Sequence, residues 1–345
     1  LFKRTIPTGI AHGTVTVVMG RGAEKIHCEV TTFRGEGRYE DGRRPSEVRF
    51  HRDLREDLAR RDFTVNAFAW NPIREIFYDY FDGLADLARG VIRAVGDPAQ
   101  RFREDGLRAM RAVRLCAVLE YRLDPDTAAA IGGALDVLDK VSRERVHVEL
   151  FKLLAAARPM LGLIPMADTG IWPRVLAPMP RPEIDAAIDH VERLPRDPVI
   201  RLARLLWPLR GDRKTIEAVV DRLRPSREER ARVLALTSPE LEALTTARDP
   251  VTIRRILARL GRKYVEDAIA LHSWEWAQAV TIEEAIRDAP LAVAELAVRG
   301  DDLVRAGLGT PGPALGRTLA ALLDWVLEDP RRNTAEQLLA HLRAG

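Results

Sequence analysis

At 345 residues, with 46% hydrophobic and 30% charged side chains, the chain has material for two or more domains with their own cores and lacks the composition of a disordered protein. No apolar run approaches the ~18 residues that span a bilayer and no signal peptide opens the sequence, so it reads as cytoplasmic with no membrane partner. Net charge is only +3, but nearly all of the 54 Lys and Arg residues are Arg, the cation best matched to phosphate, which permits a polyanionic partner. The two cysteines, Cys28 and Cys116, exclude a disulfide framework and a Cys-rich zinc site and read as core residues.

The sequence opens at Leu1, inside what reads as an ongoing element and without an initiator Met, and the expectation is that an N-terminal part of the native protein is missing. Thr14 to Met19 reads as a strand, Gly20-Arg21-Gly22 as a turn and Ile26 to Phe33 as the returning strand of a β-hairpin. A phosphate loop at Gly20-x-Gly22 would need a helix where a strand follows. Along the second strand Ile26, Cys28, Val30 and Thr32 share one face, which leaves Glu29 on the other beside His27 and Thr31. From Gly35 to Arg52 glycine mixes with both charge signs without period, a mobile loop by composition. A segment then begins at Asp53 with Leu54, Leu58 and Val65 inward, and Arg60, Arg61, Asp62 and Asn66 crowd one short stretch. Such a crowd suits a triphosphate and a ribose; a solvated charged face has the same composition.

The run from Arg101 to Arg114 is expected to form one helix with Asp105, Arg108, Arg111 and Arg114 at every third position. Three residues turn about 300°, so the four side chains climb one flank as a ridge. Phe102, Leu107, Ala109, Met110, Val113 and Ala117 make an apolar stripe opposite, which seats the helix on a core. Cytosine and adenine each present an exocyclic amine beside a ring-nitrogen acceptor. A carboxylate accepts from the amine while a guanidinium donates to the ring nitrogen. Guanine and uracil present the reverse order, which costs about 1–3 kcal/mol per mispaired buried group. An Asp-x-x-Arg pair therefore favours C and A. An ordinary i,i+3 surface ion pair, worth about 0.2–0.5 kcal/mol, has the same spacing, and for these residues taken alone it is the better reading.

Beyond Gly90 almost everything reads as helix. Ser142 is the expected N-cap of a helix through Val146, Leu150, Leu153 and Leu154 that ends before Pro159. Ser238-Pro239-Glu240 supplies a cap, an N1 proline and a first-turn acid. Thr281 with Glu284 matches a capping box, and Gly261 closes a helix from Val251 to Leu260. Strands in one block followed by a long block of helices give an α+β chain, an α/β head on a separate all-α body. Trp172, Trp207, Trp274, Trp276 and Trp325 read as core and are assigned no function.

These motifs occur in an order that resembles the superfamily of tRNA CCA-adding enzymes and bacterial poly(A) polymerases. The matching stretches are Thr8-Gly9-Ile10-Ala11-His12-Gly13-Thr14-Val15, Glu29-Val30-Thr31-Thr32-Phe33-Arg34 and Asp41-Gly42-Arg43-Arg44-Pro45. They continue through Arg60-Arg61-Asp62-Phe63-Thr64-Val65-Asn66-Ala67, Gly96-Asp97-Pro98 with Arg101-Phe102-Arg103-Glu104-Asp105 and Arg108, and Ser142-Arg143-Glu144-Arg145. The resemblance implies a polymerase-β-like nucleotidyltransferase head, present as an N-terminal fragment over residues 1–90. A neck with the nucleotide-selecting helices would follow over 91–158, then a helical RNA-binding body over 159–270 and a helical tail over 271–345.

It also implies roles. Asp105 and Arg108 would read the base edge, with Arg111 and Arg114 toward the nucleotide or its phosphates. Arg60, Arg61, Asp62 and Asn66 would hold triphosphate and ribose. Asp41, Arg43 and Arg44 would lie in a flexible loop that lets the site change from C to A, and Glu29 would be the third acid of the catalytic strand. The implied reaction is attack of a tRNA 3′-hydroxyl on the α-phosphate of CTP or ATP, assisted by Mg²⁺, with helices cradling the acceptor and T arms. The family's Asp-x-Asp metal pair precedes Thr8 in that pattern, and Glu29 alone cannot hold two ions, so the chain as given is expected to bind RNA and nucleotide without polymerising. An A-adding enzyme, a poly(A) polymerase and a non-catalytic RNA-binding relative are the alternatives, and oligomeric state is left open.

Overall fold

The computed structural model describes residues 2, 4–9, 13–20, 25–36, 48–50, 52–272 and 276–344. It comprises two compact units, Leu1–Pro178 and Met179–Gly345.

The first unit opens with an antiparallel sheet in the order β1 (Thr5–Gly9), β2 (Thr14–Met19), β3 (Ile26–Thr31). The expected hairpin is β2 and β3, in a register that sets Thr16 opposite Glu29. Thr16 and Val17 of the central strand are buried, but all six residues of β3 are exposed. Cys28 therefore lies on the surface instead of in a core, because β3 is an edge strand in this sheet. A short pair, β4 (Arg34–Glu36) and β5 (Val48–Phe50), leads to α1 (Leu54–Ala59), which Asp53 caps by accepting from the Arg55 N–H at 2.8 Å. A 3₁₀ turn at Thr64–Asn66 and the hairpin β6 (Phe68–Asn71), β7 (Ile76–Asp79) follow, then α2 (Gly83–Arg89).

The remainder of the unit is helical apart from β8 (Val91–Ile92), which pairs in parallel with β9 (Arg122–Leu123). Its helices are α3 (Pro98–Glu104), α4 (Leu107–Leu119), α5 (Pro125–Gly132), α6 (Leu135–Asp139), α7 (Arg143–Leu154), α8 (Met160–Asp168) and α9 (Trp172–Val175). The apolar stripe read from the sequence is the buried flank of α3 and α4. Phe102, Met110, Val113 and Ala117 have no exposed surface, nor do Val146, Leu150, Leu153 and Leu154 of α7, so both helices are seated on one core. Burial at about 25 cal/mol per Å² is what holds such helices in place.

The single helix expected from Arg101 to Arg114 is instead two. Asp105 is extended, with φ −146° and ψ 106°, and separates α3 from α4. Two local facts account for the break. The Asp105 carboxylate accepts from the Leu107 N–H at 3.0 Å, capping α4 as short polar side chains do. And Gly106 lies so close to α6 that a Cβ would sit 2.5 Å from the Leu138 nitrogen, an approach open only to glycine.

The second unit consists of α10 (Arg181–Asp189), α11 (Pro198–Leu206), α12 (Arg213–Leu223), α13 (Arg227–Leu236), α14 (Glu242–Thr246), α15 (Pro250–Leu260), α16 (Val265–His272), α17 (Trp276–Ile286), α18 (Gly300–Arg305), α19 (Pro313–Glu328) and α20 (Ala335–Ala344). Asp197, Asp212 and Asp249 cap α11, α12 and α15 through their side chains, and Gly261 ends α15 with φ 99°. Thr281 and Glu284 do not form a capping box: both lie inside α17, where buried Ala279, Ile282 and Ala285 keep one apolar stripe running past them. Trp172 and Trp207 are core residues, as read. Among the described residues no helix is long and apolar enough to cross a membrane.

Candidate nucleotide-selecting site

Helix α4 turns one working flank outward. From Gly106 to Ala117 the only residues not buried are Arg108, Arg111 and Arg114, at spacing three, while every other position is packed away. The arginine ridge thus exists, with Asp105 standing just before it on the interhelical break.

Each ridge guanidinium meets a carboxylate. Arg108 Nη1 donates to Glu104 Oε2 at 2.6 Å and to the Arg101 carbonyl at 3.0 Å, and Nη2 donates to the Arg60 carbonyl at 2.9 Å. Glu104 is itself buried, and its other oxygen accepts from Arg101 Nη2 at 2.5 Å, while Arg101 Nη1 reaches the Ala59 carbonyl at 3.1 Å. A single buried carboxylate therefore bridges two arginines and fastens the α3–α4 junction to the C-terminal end of α1. Arg111 Nε donates to Asp62 Oδ2 at 2.7 Å. Asp62 also accepts from Asn66 Nδ2 at 3.2 Å and from the Phe63 N–H at 2.9 Å. Burial pushes the Asp62 carboxyl up, but Arg111 and the hydrogen bonds outweigh it and hold the group below the usual carboxylate range.

Arg60, Asp62, Asn66, Arg108 and Arg111 come together around the end of α1, although Arg60 contributes its carbonyl here and its side chain pairs with Asp57 at 2.6 Å. Arg61 is exposed beside them and reaches Asp57 at 3.5 Å. Asp105 is held from α7, where Arg145 Nη2 donates to its Oδ2 at 2.8 Å. Arg114 turns elsewhere, pairing with buried Glu149 of α7 at 2.6 Å, so it ties α4 to α7. Glu29 is an exposed side chain on β3. Asp41, Arg43 and Arg44 lie outside the described residues, as does Trp274. Glu104 and Asp57 were missed as site residues. The signal for Glu104 was present, since it stands three residues after Arg101 and four before Arg108, where both can reach it.

The described residues do not make a two-Mg²⁺ site. Mg²⁺ needs several hard oxygen ligands, and among the described residues no group of three or more His, Cys, Asp or Glu is placed to hold a metal.

A helical arm that leaves only arginines accessible on one flank permits nucleotide handling, and comparison with known proteins makes the class specific. The family described as poly A polymerase head domain matches residues 1–93, and that described as probable RNA and SrmB-binding site of polymerase A matches residues 120–188. The CCA-adding enzyme of Pediococcus pentosaceus is 35% identical over 347 residues, 98% of this chain and 84% of its own length. That of Lactiplantibacillus plantarum is 36% identical over 370 residues, 99% of this chain and 84% of its own. The crystal structure of the Bacillus stearothermophilus CCA-adding enzyme in complex with CTP matches with a TM-score of 0.75 at 28% identity, covering 99% of this chain and 84% of that one. The chain belongs to the family of CCA-adding enzymes, the tRNA nucleotidyltransferases.

Proposed function

We propose that the protein adds C and A to the 3′ end of tRNA lacking CCA, using CTP and ATP, and that Asp105 and Arg108 choose the base. The observation that carries this reading is the flank of α4, where the only positions of a buried stretch left accessible are arginines, with an aspartate at their head. Asp105 accepts from the exocyclic amine of C or A, and Arg108 donates to the adjacent ring nitrogen once the base competes for it. Arg60, Arg61, Asp62, Asn66 and Arg111 hold triphosphate and ribose, and Arg114 anchors the helix. The helices beyond residue 158 take the acceptor and T arms of tRNA by shape and phosphate contact, with the body to residue 270 and the tail after it. Such a protein works in the cytoplasm.

Glu29 would serve as one metal-binding acid of the reaction.

The test is nucleotide addition by the full-length native protein with tRNA lacking CCA, tRNA ending in CC and an unstructured RNA, each with single nucleoside triphosphates. Addition confined to C and A on the tRNAs is expected. Asp105→Ala should reduce the preference of CTP over UTP by about tenfold, since one base-edge hydrogen bond is worth about 1–1.5 kcal/mol. Long A tails on the unstructured RNA would favour the poly(A) reading, which the head-domain match keeps in view.

A further inference from the structure

We infer that Arg145 is a positioning residue for nucleotide selection, setting the orientation of the Asp105 carboxylate; this rests on the base-reading role proposed for Asp105. A base-edge reader must present its oxygens in one fixed plane. Asp105 stands extended in the break between α3 and α4, its carbonyl accepting from the Arg108 N–H at 2.9 Å, so the orientation of its carboxylate is left to side-chain contacts. Two contacts supply the constraint. Oδ1 accepts from the Leu107 N–H at 3.0 Å, and Oδ2 accepts from Arg145 Nη2 at 2.8 Å. With one donor on each oxygen the carboxylate cannot turn about its own axis, and each oxygen keeps a lone pair for a base amine.

The donor comes from a rigid element. Arg145 lies in the first turn of α7, followed by fully buried Val146, Leu150 and Leu153. One turn further along α7, Glu149 grips Arg114 of α4 at 2.6 Å. Residues 145 and 149 thus reach the α3–α4 arm at both ends of its ridge with opposite charge, which fixes α7 in register against the arm. The Asp105–Arg145 pair keeps 23% and 36% of its side chains exposed, and pairs this wet add little to stability. The precise register is therefore better explained by orientation than by holding the fold. Without Arg145, Oδ2 is free to turn toward water or toward Arg108 three residues on, and the acceptor that distinguishes C from U is misplaced.

Equilibrium binding of CTP, UTP, ATP and GTP to the full chain, measured by calorimetry for Arg145→Ala, Arg145→Lys, Asp105→Ala and the Arg145→Ala/Asp105→Ala double variant, tests this. Arg145→Ala should lower the CTP:UTP and ATP:GTP ratios about tenfold through weaker CTP and ATP binding, with UTP and GTP unchanged and the melting curve intact. Arg145→Lys should restore part of each ratio, and the double variant should match Asp105→Ala alone, because Arg145 acts only through that carboxylate. The inference is overturned if Asp105→Ala loses both ratios while Arg145→Ala keeps them, or if Arg145→Ala weakens all four nucleotides equally. Unchanged ratios in Asp105→Ala would instead remove the base-reading role itself.

Discussion

The arginines of the α4 ridge in the first unit and Arg254 in the second are neutralised in two different ways. Around α4 every ridge guanidinium meets a carboxylate: Glu104 for Arg108, Asp62 for Arg111, Glu149 for Arg114. In the second unit Arg254 of α15, only 8% exposed, donates to backbone instead, to the carbonyls of Leu327 at 2.6 Å, Ala285 at 3.2 Å and Glu328 at 3.0 Å. Those carbonyls belong to the C-terminal ends of α17 and α19, where partial negative charge gathers. The difference teaches what each arrangement is for. Helix-end carbonyls cannot leave, so Arg254 is a permanent fastening. A carboxylate partner can be exchanged for a base edge or a phosphate, so Arg108 and Arg111 are ordered in advance and still available, while Arg114, paired with buried Glu149, anchors α4.

The largest effect that tests this contrast comes from Glu104. Glu104→Ala leaves Arg101 and Arg108 in a buried setting without the shared carboxylate, and removing one partner of a buried ion pair costs about 3–5 kcal/mol. Urea denaturation of the variant measures it, with Glu104→Gln expected to fall between the two. A loss below about 1 kcal/mol would mean that the carbonyls of Ala59, Arg60 and Arg101 hold these arginines unaided, and they would then not differ in kind from Arg254.

Acid separates the regions with a somewhat smaller effect. His272 of α16 is 2% exposed with its ring edge-on to Trp207, and burial, reinforced by Arg204, pushes its pKa down to about 4. Its folded pKa is below the unfolded value near 6.5, so the unfolded chain binds the extra proton between those limits. Stability from this group is complete above about pH 6.5 and falls by about 3 kcal/mol on acidification to pH 4, with no further loss below. Asp62 has the same sign in a lower window: its lowered pKa supplies stability above the ordinary carboxylate value that is lost only as pH falls through the lower folded one. Between pH 6.5 and 4 the second unit should therefore weaken while the Asp62–Arg111 contact persists. His272→Leu should flatten that part of the pH–stability curve; a curve unchanged by the substitution would show that the ring is protonated in place.

How much of this was legible in the sequence depended on range. The stripe of α7, the spacing of Arg108, Arg111 and Arg114, and the closing Gly261 are local periodicities, and the structure follows them. The break at Asp105 was not legible, because the close approach of Gly106 to Leu138 is a tertiary fact that overrides an unbroken 3.6-residue pattern. Thr281 and Glu284 have capping-box spacing, yet the helix begins before them, since the apolar stripe is worth more than one cap. In the site, the residue types were readable and their partners were not: Arg145 and Asp105 are 40 positions apart, and Arg111 and Asp62 are 49 apart.

The smallest expected signal, a labelling rate, places the contrast within α4 itself. Cys116 lies on its anchored flank, fully buried, and burial pushes the thiol pKa up to about 12, whereas Cys28 is exposed on β3. A thiol reacts as the thiolate and needs access, so at pH 8 a disulfide reagent should modify Cys28 at once and Cys116 only through opening of the first unit. In a Cys28→Ser background the slow phase then belongs to Cys116 alone. Because Glu104 fastens the start of α4, Glu104→Ala should accelerate that phase, while Arg61→Ala, which alters an exposed side chain beside the same site, should not. Equal acceleration by both would mean that the ridge and the anchored flank open together, and that Glu104 holds α4 no more firmly than a surface contact does.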